Sequence, residues 1–518
     1  MSELKPITTS TYSFPDLIGG GFVYVDKTAQ IRELLRPAKE QYFLARPRRF
    51  GKSLMISTLQ CIFEGRRELF RGLAIDRSDY DWTVHPVLRL DMGSCQASDI
   101  GRFDCKLIEL LKSEAVRNGV EVEPASDPSI LFTRLIIALA AKSPTGKMVL
   151  LLDEYDKPLL GKLGTPEVTK FKEALKEFYS VIKTQEQFQR FTFMTGVSKF
   201  SKVSIFSDLN NLTDLTMDAR AATLMGYTHE ELKENFRDHI AALAEKHAQT
   251  PDEAFAQMER MYDGFKFHMD AKRVFNPVSV GKCLVQGEYA NFWFETGTPS
   301  FLIDLLKRNP VDDSDLRLEA TAFGTFEPEQ VRMLPLMYQT GYLTIKDVDR
   351  SGSMPVYTLG YPNREVEQSM GYHLALGMSC VPDDEFSSIC NRICDGLKAG
   401  ETDEVTEGLR CFFENIPYDL QVKYEKYYQS LFLSVMLMLK ARVACEVKTA
   451  RGRIDAVIET AKFVWVIEFK VRGTAAEAIA QIRERGYVEK FATDPRKVKL
   501  IGCAFDWEKR NIGEVEEV

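Results

Sequence analysis

Residues 41–63, QYFLARPRRFGKSLMISTLQCIF, constrain this chain more than any other stretch. QYFLA (41–45) is a short apolar, aromatic-rich run of the kind that makes a buried strand. SLMISTLQCIF (53–63) has helical spacing, with Leu54, Ile56, Leu59 and Ile62 available for one apolar face. Between them lies a basic loop ending Gly51-Lys52-Ser53. Strand, loop and helix in that order suit phosphate binding, because a helix N-terminus offers unpaired N–H groups and a positive dipole end. The standard loop reads G-x-x-x-x-G-K-[ST]. Here Arg46 stands where the first glycine belongs, so a freely turning residue is exchanged for the stiffer Arg46-Pro47. A phosphate-loop reading predicts that the N–H groups of Gly51, Lys52, Ser53 and Leu54 face the phosphates. Lys52 would reach the β- and γ-phosphates, the Ser53 hydroxyl would help hold Mg²⁺, and Arg46, Arg48 and Arg49 would add positive charge.

A second stretch fits the first. KMVLLLDEYDKPL (147–159) is a five-residue aliphatic run followed directly by Asp153-Glu154. A buried strand ending in two carboxylates is the pattern in which Asp153 joins the Mg²⁺ shell and Glu154 polarises the attacking water. An aliphatic strand leaving the core through an ordinary acidic turn has the same pattern. A third strand, RFTFMTGVSKFSK (190–202), ends where Ser198 could sense the γ-phosphate and Lys199 or Lys202 could touch it. YVDKT (24–28) precedes the loop and fits either a wall for the base or ribose, or a polar edge strand.

At 518 residues the chain is too long for one core, and its 45% hydrophobic and 27% charged content is that of a globular protein. No apolar run approaches the ~18–20 residues that span a bilayer. The longest, SLFLSVMLML (430–439), reads as a buried helix. The N-terminus lacks a secretory pattern, and the ten cysteines form no C-x-x-C pair, so reduced thiols in a cytoplasmic protein are expected, with no membrane partner. A net charge of −8 excludes a protein that coats nucleic acid through overall basicity. Residues 421–510 nevertheless hold 18 Lys/Arg against 11 Asp/Glu, a local +7, which suits local contact with a polyanion as well as a solvated surface.

Downstream of the nucleotide-type core the pattern turns helical. YTHEELKENF (227–236) opens with Thr228 and Glu231 in capping-box spacing. VRMLPLMYQTGYLTIKDVD (331–349) and PVYTLGYPNREV (355–366) read helix, glycine turn, strand, strand, the order of a small winged-helix-like module. Near the C-terminus, VACEVKTARGRIDAVIET (443–460) reads as a hairpin turning at Arg451-Gly452, and FVWVIEFKVRG (463–473) as a strand. Alternation puts Val464, Val466, Glu468 and Lys470 on one face and Trp465, Ile467 and Phe469 on the other. Asp455, on the preceding strand, can approach Glu468 across the sheet. A surface ion pair at a strand end would look the same.

FVYVDKT (22–28), RPRRFGKS (46–53), LDEYDKPL (152–159) and TGVSKFSKVSIFSDLNNLTDLT (195–216) resemble the bacterial AAA-ATPase-like proteins that carry a C-terminal nuclease-type domain. The resemblance continues through MYDGFKF (261–267), FNPVSV (275–280) and WFETGTPSFL (293–302) to the chain's end. It implies that RPRRFGKS is a phosphate loop with ATP and Mg²⁺ as cofactors, and that Asp455, Glu468 and Lys470 form a PD-(D/E)xK motif. In that motif the two carboxylates and the Phe469 carbonyl hold Mg²⁺ or Mn²⁺, and Lys470 orients the attacking water or neutralises charge. Glu425 would add an outer carboxylate, and Gln481 and Tyr487 resemble the Gln…Tyr signature of RecB-like nucleases.

The expected architecture is α/β and multidomain. A P-loop NTPase-like parallel-sheet domain (1–216) is followed by a helical lid (217–300) and a winged-helix-like module (301–370). A helical connector (371–410) then leads to a restriction-endonuclease-like α/β domain (411–518). The leading expectation is an ATP-binding, ATP-hydrolysing protein controlling a metal-dependent nuclease, with DNA as partner, RNA left open, and homo-oligomers allowed. The alternative is a nucleotide-switched protein that grips nucleic acid without cutting. A protein-remodelling ATPase is disfavoured by the absence of an evident arginine finger or pore loop.

Overall fold

The computed structural model describes residues 4–199, 211–293, 300–308, 316–323, 331–379, 382–415, 446–449, 455–470, 473–484, 491, 493–506 and 508–518. They form two compact units, Met1–Phe292 with Arg317–Arg364, and Trp293–Leu316 with Glu365–Val518. Among the described residues no helix is long and apolar enough to cross a membrane.

The first unit is built on a parallel sheet of β1 (Glu40–Ala45), β2 (Val87–Asp91), β3 (Met148–Asp153), β4 (Gln189–Gly196) and β5 (Thr213–Asp214), in the order β2-β3-β4-β1-β5. A parallel sheet is covered on both faces, so its inner strands are buried along nearly their whole length. All six residues of β3 are buried, and only Glu40 of β1 and Arg190 of β4 are partly open. β1 lies between β4 and β5 while the chain leaves it for β2 at the far edge, so the loop after β1 opens where strand order reverses. In open α/β sheets ligands bind at that position, beyond the carboxyl ends of the strands.

The helices after residue 227 have a core of their own, in which Phe236, Leu243, Met258, Tyr262 and Phe275 meet Val25 from the N-terminal segment. The Thr228–Glu231 capping box is present, and Thr250–Glu253 forms a second. Helix Met333–Thr340 ends at Gly341 (φ +87°) and leads into β7 (Thr344–Asp349) and β8 (Val356–Gly360). β8 pairs antiparallel with both β7 and β6 (Arg317–Glu319), giving the helix, glycine, strand, strand order read from sequence.

The second unit holds a mixed sheet in the order β13-β12-β11-β10-β9. Its strands are β9 (Glu446–Thr449), β10 (Asp455–Glu459), β11 (Phe463–Lys470), β12 (Lys497–Asp506) and β13 (Asn511–Glu517). The two faces of β11 follow the alternation. Trp465, Ile467 and Phe469 enter one core with Phe386, Leu397 and Phe412 from helices Asp383–Ala399 and Thr402–Glu414. Val464 and Val466 enter the other, against Ile479 and Ile482 of helix Ala475–Glu484. Residues 383–410, expected in a separate connector, therefore share a core with this sheet. Cys390 and Cys394 lie buried inside it. The apolar run 430–439 lies outside the described residues.

The glycine of MYDGFKF shows how closely the segments of the first unit approach. Gly264 has φ +98°, and a Cβ there would fall 2.1 Å from the Pro362 carbonyl oxygen. Gly264→Ala should therefore cost about 3 kcal/mol, from left-handed strain plus a backbone clash. Gly146→Ala, at φ +65° with nothing within 4 Å, should cost only about 1 kcal/mol. Chemical denaturation of the two variants of the full chain checks the difference.

Candidate functional site

The loop after β1 is held by its own side chains. Gly51 caps helix Lys52–Phe63 in the left-handed region at φ +87°, where no neighbour limits it, so backbone conformation alone demands glycine. Lys52 is buried, and its Nζ donates to the carbonyls of Arg46 (3.0 Å) and Pro47 (2.9 Å), which folds the loop back over the helix N-terminus. Burial lowers its pKa, against the pull of Asp153, Glu154 and Asp156. Ser53 lies beside Asp153, which is buried at the end of β3 with a pKa raised by desolvation, against the lowering pull of the Ser53 hydroxyl and Lys52. Lys52, Ser53, Asp153 and Glu154 thus gather at the carboxyl ends of β1 and β3.

Glu154 follows with φ +49°, a left-handed conformation a glutamate adopts only under constraint. Its N–H donates to Asp153 Oδ1 at 3.0 Å, and its carboxylate pairs with Lys157 at 3.5 Å. The carboxylate also lies over Gly93, where a Cβ would come within 2.6 Å of Glu154 Oε2 and 2.9 Å of Asp91 Oδ1. Asp91, in register with Asp153 on the neighbouring strand, is a third carboxylate at this edge that sequence reasoning passed over.

The basic residues expected at the phosphates divide. Arg46 is 1% exposed and donates to the carbonyls of Ala45 (2.9 Å), Thr216 (2.7 Å) and Ala221 (2.8 Å), with its guanidinium 4.1 Å from the Phe267 ring centroid. Desolvation lowers its pKa to about 10. It is a staple, unavailable to a phosphate in this conformation. Arg49, at φ +66°, donates to the Phe292 carbonyl. Arg48 is half-buried beside Lys52.

Ser198 and Lys199 are also engaged elsewhere. Ser198 is fully buried, and both its N–H and its hydroxyl donate to Asp156 Oδ2 at 2.6 Å. Lys199 pairs with Asp214, and its N–H donates to Gln339 Oε1 at 2.8 Å. Asp156 was quoted within LDEYDKPL but given no role. It is 1% exposed, and burial raises its pKa. It also fixes the turn after β4, because a Cβ on Gly196 would come within 2.5 Å of its Oδ1. Lys202 lies outside the described residues.

Beside the loop, Tyr24, Val25, Lys27, Met55, Tyr227 and Pro277 help line a cavity of about 80 Å³. Lys27 crosses it to the Thr223 carbonyl (2.8 Å) and to both oxygens of Glu231 (2.6 and 2.7 Å), the acid of the first capping box.

In the second unit, β10 and β11 run antiparallel with Asp455 directly opposite Glu468. Glu468 is 2% exposed, and Lys470 Nζ lies 3.4 Å from its Oε1 while also donating to Gln481 Oε1 on helix Ala475–Glu484. That helix packs directly on β12, where a Cβ on Gly502 would fall 2.3 Å from the Ala475 carbonyl oxygen. Phe469 sends its ring into the opposite core. Glu425 and Tyr487 lie outside the described residues, as does the side chain of Asp455.

A family model described as a predicted AAA-ATPase matches residues 6–206, and one for the PD-(D/E)XK nuclease superfamily matches residues 423–515. An "Uncharacterized protein in vnfD 5'region" of Azotobacter chroococcum mcd 1 is 34% identical over 508 residues, covering 95% of each chain. The chain belongs to the AAA-ATPase-like proteins with a PD-(D/E)xK nuclease superfamily domain. No solved structure matches it.

In this family member the first loop position is structural. Arg46→Met keeps much of the volume but removes the guanidinium's hydrogen bonds to the Thr216 and Ala221 carbonyls, and should destabilise the AAA-ATPase-like unit by about 3 kcal/mol. Arg46→Lys should recover only part, because one ammonium lacks the fork that serves separated carbonyls. Urea denaturation of the full chain measures both.

Proposed function

We propose that this chain binds ATP with Mg²⁺ at the loop after β1, and that its C-terminal domain is a metal-dependent phosphodiesterase acting on nucleic acid, DNA first. The observation that carries the reading is the convergence of Lys52, Ser53, Asp153 and Glu154 at the switch point of a parallel sheet. In the other unit Asp455 is paired opposite Glu468, with Lys470 beside it. The donors are hard oxygens, the ligand type Mg²⁺ takes.

At the loop, Ser53 and Asp153 would hold the ion and Glu154 would orient water. Lys52 would exchange its bonds to the Arg46 and Pro47 carbonyls for phosphate oxygens. The cavity beside Tyr24, Val25 and Tyr227 supports a place for the base. At about 80 Å³ it is smaller than the ~300 Å³ at which ligand pockets begin, so Lys27 and the Leu224–Tyr227 segment would move on binding. In the nuclease-superfamily domain Asp455, Glu468 and the Phe469 carbonyl would hold Mg²⁺ or Mn²⁺. When bound, such an ion supplies a nucleophile at neutral pH and stabilises the phosphorane charge. Lys470, braced by Gln481, would steer the water. Occupancy of the ATP site would control cutting.

Two experiments test this. Lys52→Ala should weaken ATP binding at least about 10-fold by calorimetry, since it removes a charge-assisted contact to phosphate. Incubation of plasmid and single-stranded DNA with Mg²⁺ or Mn²⁺, with and without ATP, should give cutting that Glu468→Ala lowers by about 100-fold or more. Binding without cutting in every nucleotide state would replace the nuclease with a nucleotide-switched grip on nucleic acid.

A further inference from the structure

The candidate phosphate loop carries three arginines, and the structure separates them. Arg46 has both terminal nitrogens donating to backbone carbonyls and is covered by Phe267. Arg49, with a left-handed backbone at φ +66°, donates to the Phe292 carbonyl. Arg48 lies between Pro47, whose carbonyl accepts from Lys52 Nζ at 2.9 Å, and Arg49. Its side chain is half-buried and, among the described residues, has no hydrogen bond or ion pair. The other groups able to meet a terminal phosphate are engaged as well, Ser198 by Asp156 and Lys199 by Asp214.

We infer that Arg48 is the side chain by which this chain distinguishes a nucleoside triphosphate from a diphosphate. The inference rests on the nucleotide reading of the loop. Phosphates at the N-terminus of helix Lys52–Phe63 would draw Lys52 off the Arg46 and Pro47 carbonyls. Among the described residues, Arg48 is the loop cation with no hydrogen bond or ion pair to give up. A guanidinium offers a rigid pair of donors that matches two oxygens of one phosphate, so its contribution falls on the terminal phosphate that a diphosphate lacks. The same assignment gives each of the three loop arginines a role. Two anchor the loop to distant backbone, which leaves the third poised between them.

Calorimetry on the full chain with Mg²⁺ would compare ADP and the non-hydrolysable triphosphate AMP-PNP for wild type, Arg48→Ala and Arg48→Lys. Arg48→Ala should weaken AMP-PNP by about 10- to 100-fold and ADP by less than about 3-fold, the loss of one charge-assisted bidentate contact. Arg48→Lys should fall between the two, since charge is kept and the fork is lost. Retained ADP binding shows that the variants are folded. Equal losses for both nucleotides, or no loss for either, overturns the role of Arg48 while leaving the site standing. A wild-type chain that binds neither nucleotide overturns the site itself, and the inference with it.

Discussion

A guanidinium buried to 1% exposure has to find an oxygen for most of its N–H groups or unfold what surrounds it. Arg46 finds three, two of them about 170 residues further along the chain. That demand fixes the end of β1 against the segment that leaves β5 for the helices. Phe50, four residues from the Arg46 carbonyl that receives Lys52, makes edge contacts with Phe265 and Phe267 at 4.8 and 5.4 Å between ring centroids. The phosphate-type loop is thus shaped from both sides by the MYDGFKF segment. Its conformation does not depend on a glycine at the first position, because an arginine side chain supplies the restraint.

The same economy governs the opposite wall. Asp156 accepts from the N–H groups of Val197 and Ser198 and from the Ser198 hydroxyl, so the turn after β4 is fastened to the turn after β3. Tyr155 reinforces it by donating to the Ser198 carbonyl at 3.0 Å. Lys199 then meets Gln339 of helix Met333–Thr340, which links the sheet's edge to the helix and strands that follow it. Buried carboxylates and cations at this edge lie close enough to shift one another, with burial raising Asp153 and Asp156 and lowering Lys52. Groups poised in this way cluster where charge is handled.

Much of the local structure was legible. QYFLA, MVLLLD and FVWVIEFK are strands because their apolar runs are the right length and have the right period. The two faces of FVWVIEFK follow from alternation, and the Thr228–Glu231 box from residues three apart. The roles of individual polar residues were less legible. Arg46 was read as a phosphate ligand and is a staple. Ser198 was read as a phosphate sensor, and its hydroxyl is spent on Asp156. Gln481 is singled out by sequence only through a family resemblance, and it is the fold that brings it to Lys470, across the gap between helix Ala475–Glu484 and β11.

The sequence by itself determined what short-range physics controls: strand and helix periods, the left-handed turn at Gly51, the capping boxes, and two carboxylates at the end of an aliphatic strand. It also carried the family, because the motifs are contiguous. The tertiary structure alone decided which of three neighbouring arginines anchors, which is tied to Phe292 and which, among the described residues, is left uncommitted. Their acceptors are carbonyls of residues 216, 221 and 292, brought near by the fold. A side chain's local sequence sets its chemistry, but its partner is set by whichever distant backbone the packing delivers within about 3 Å.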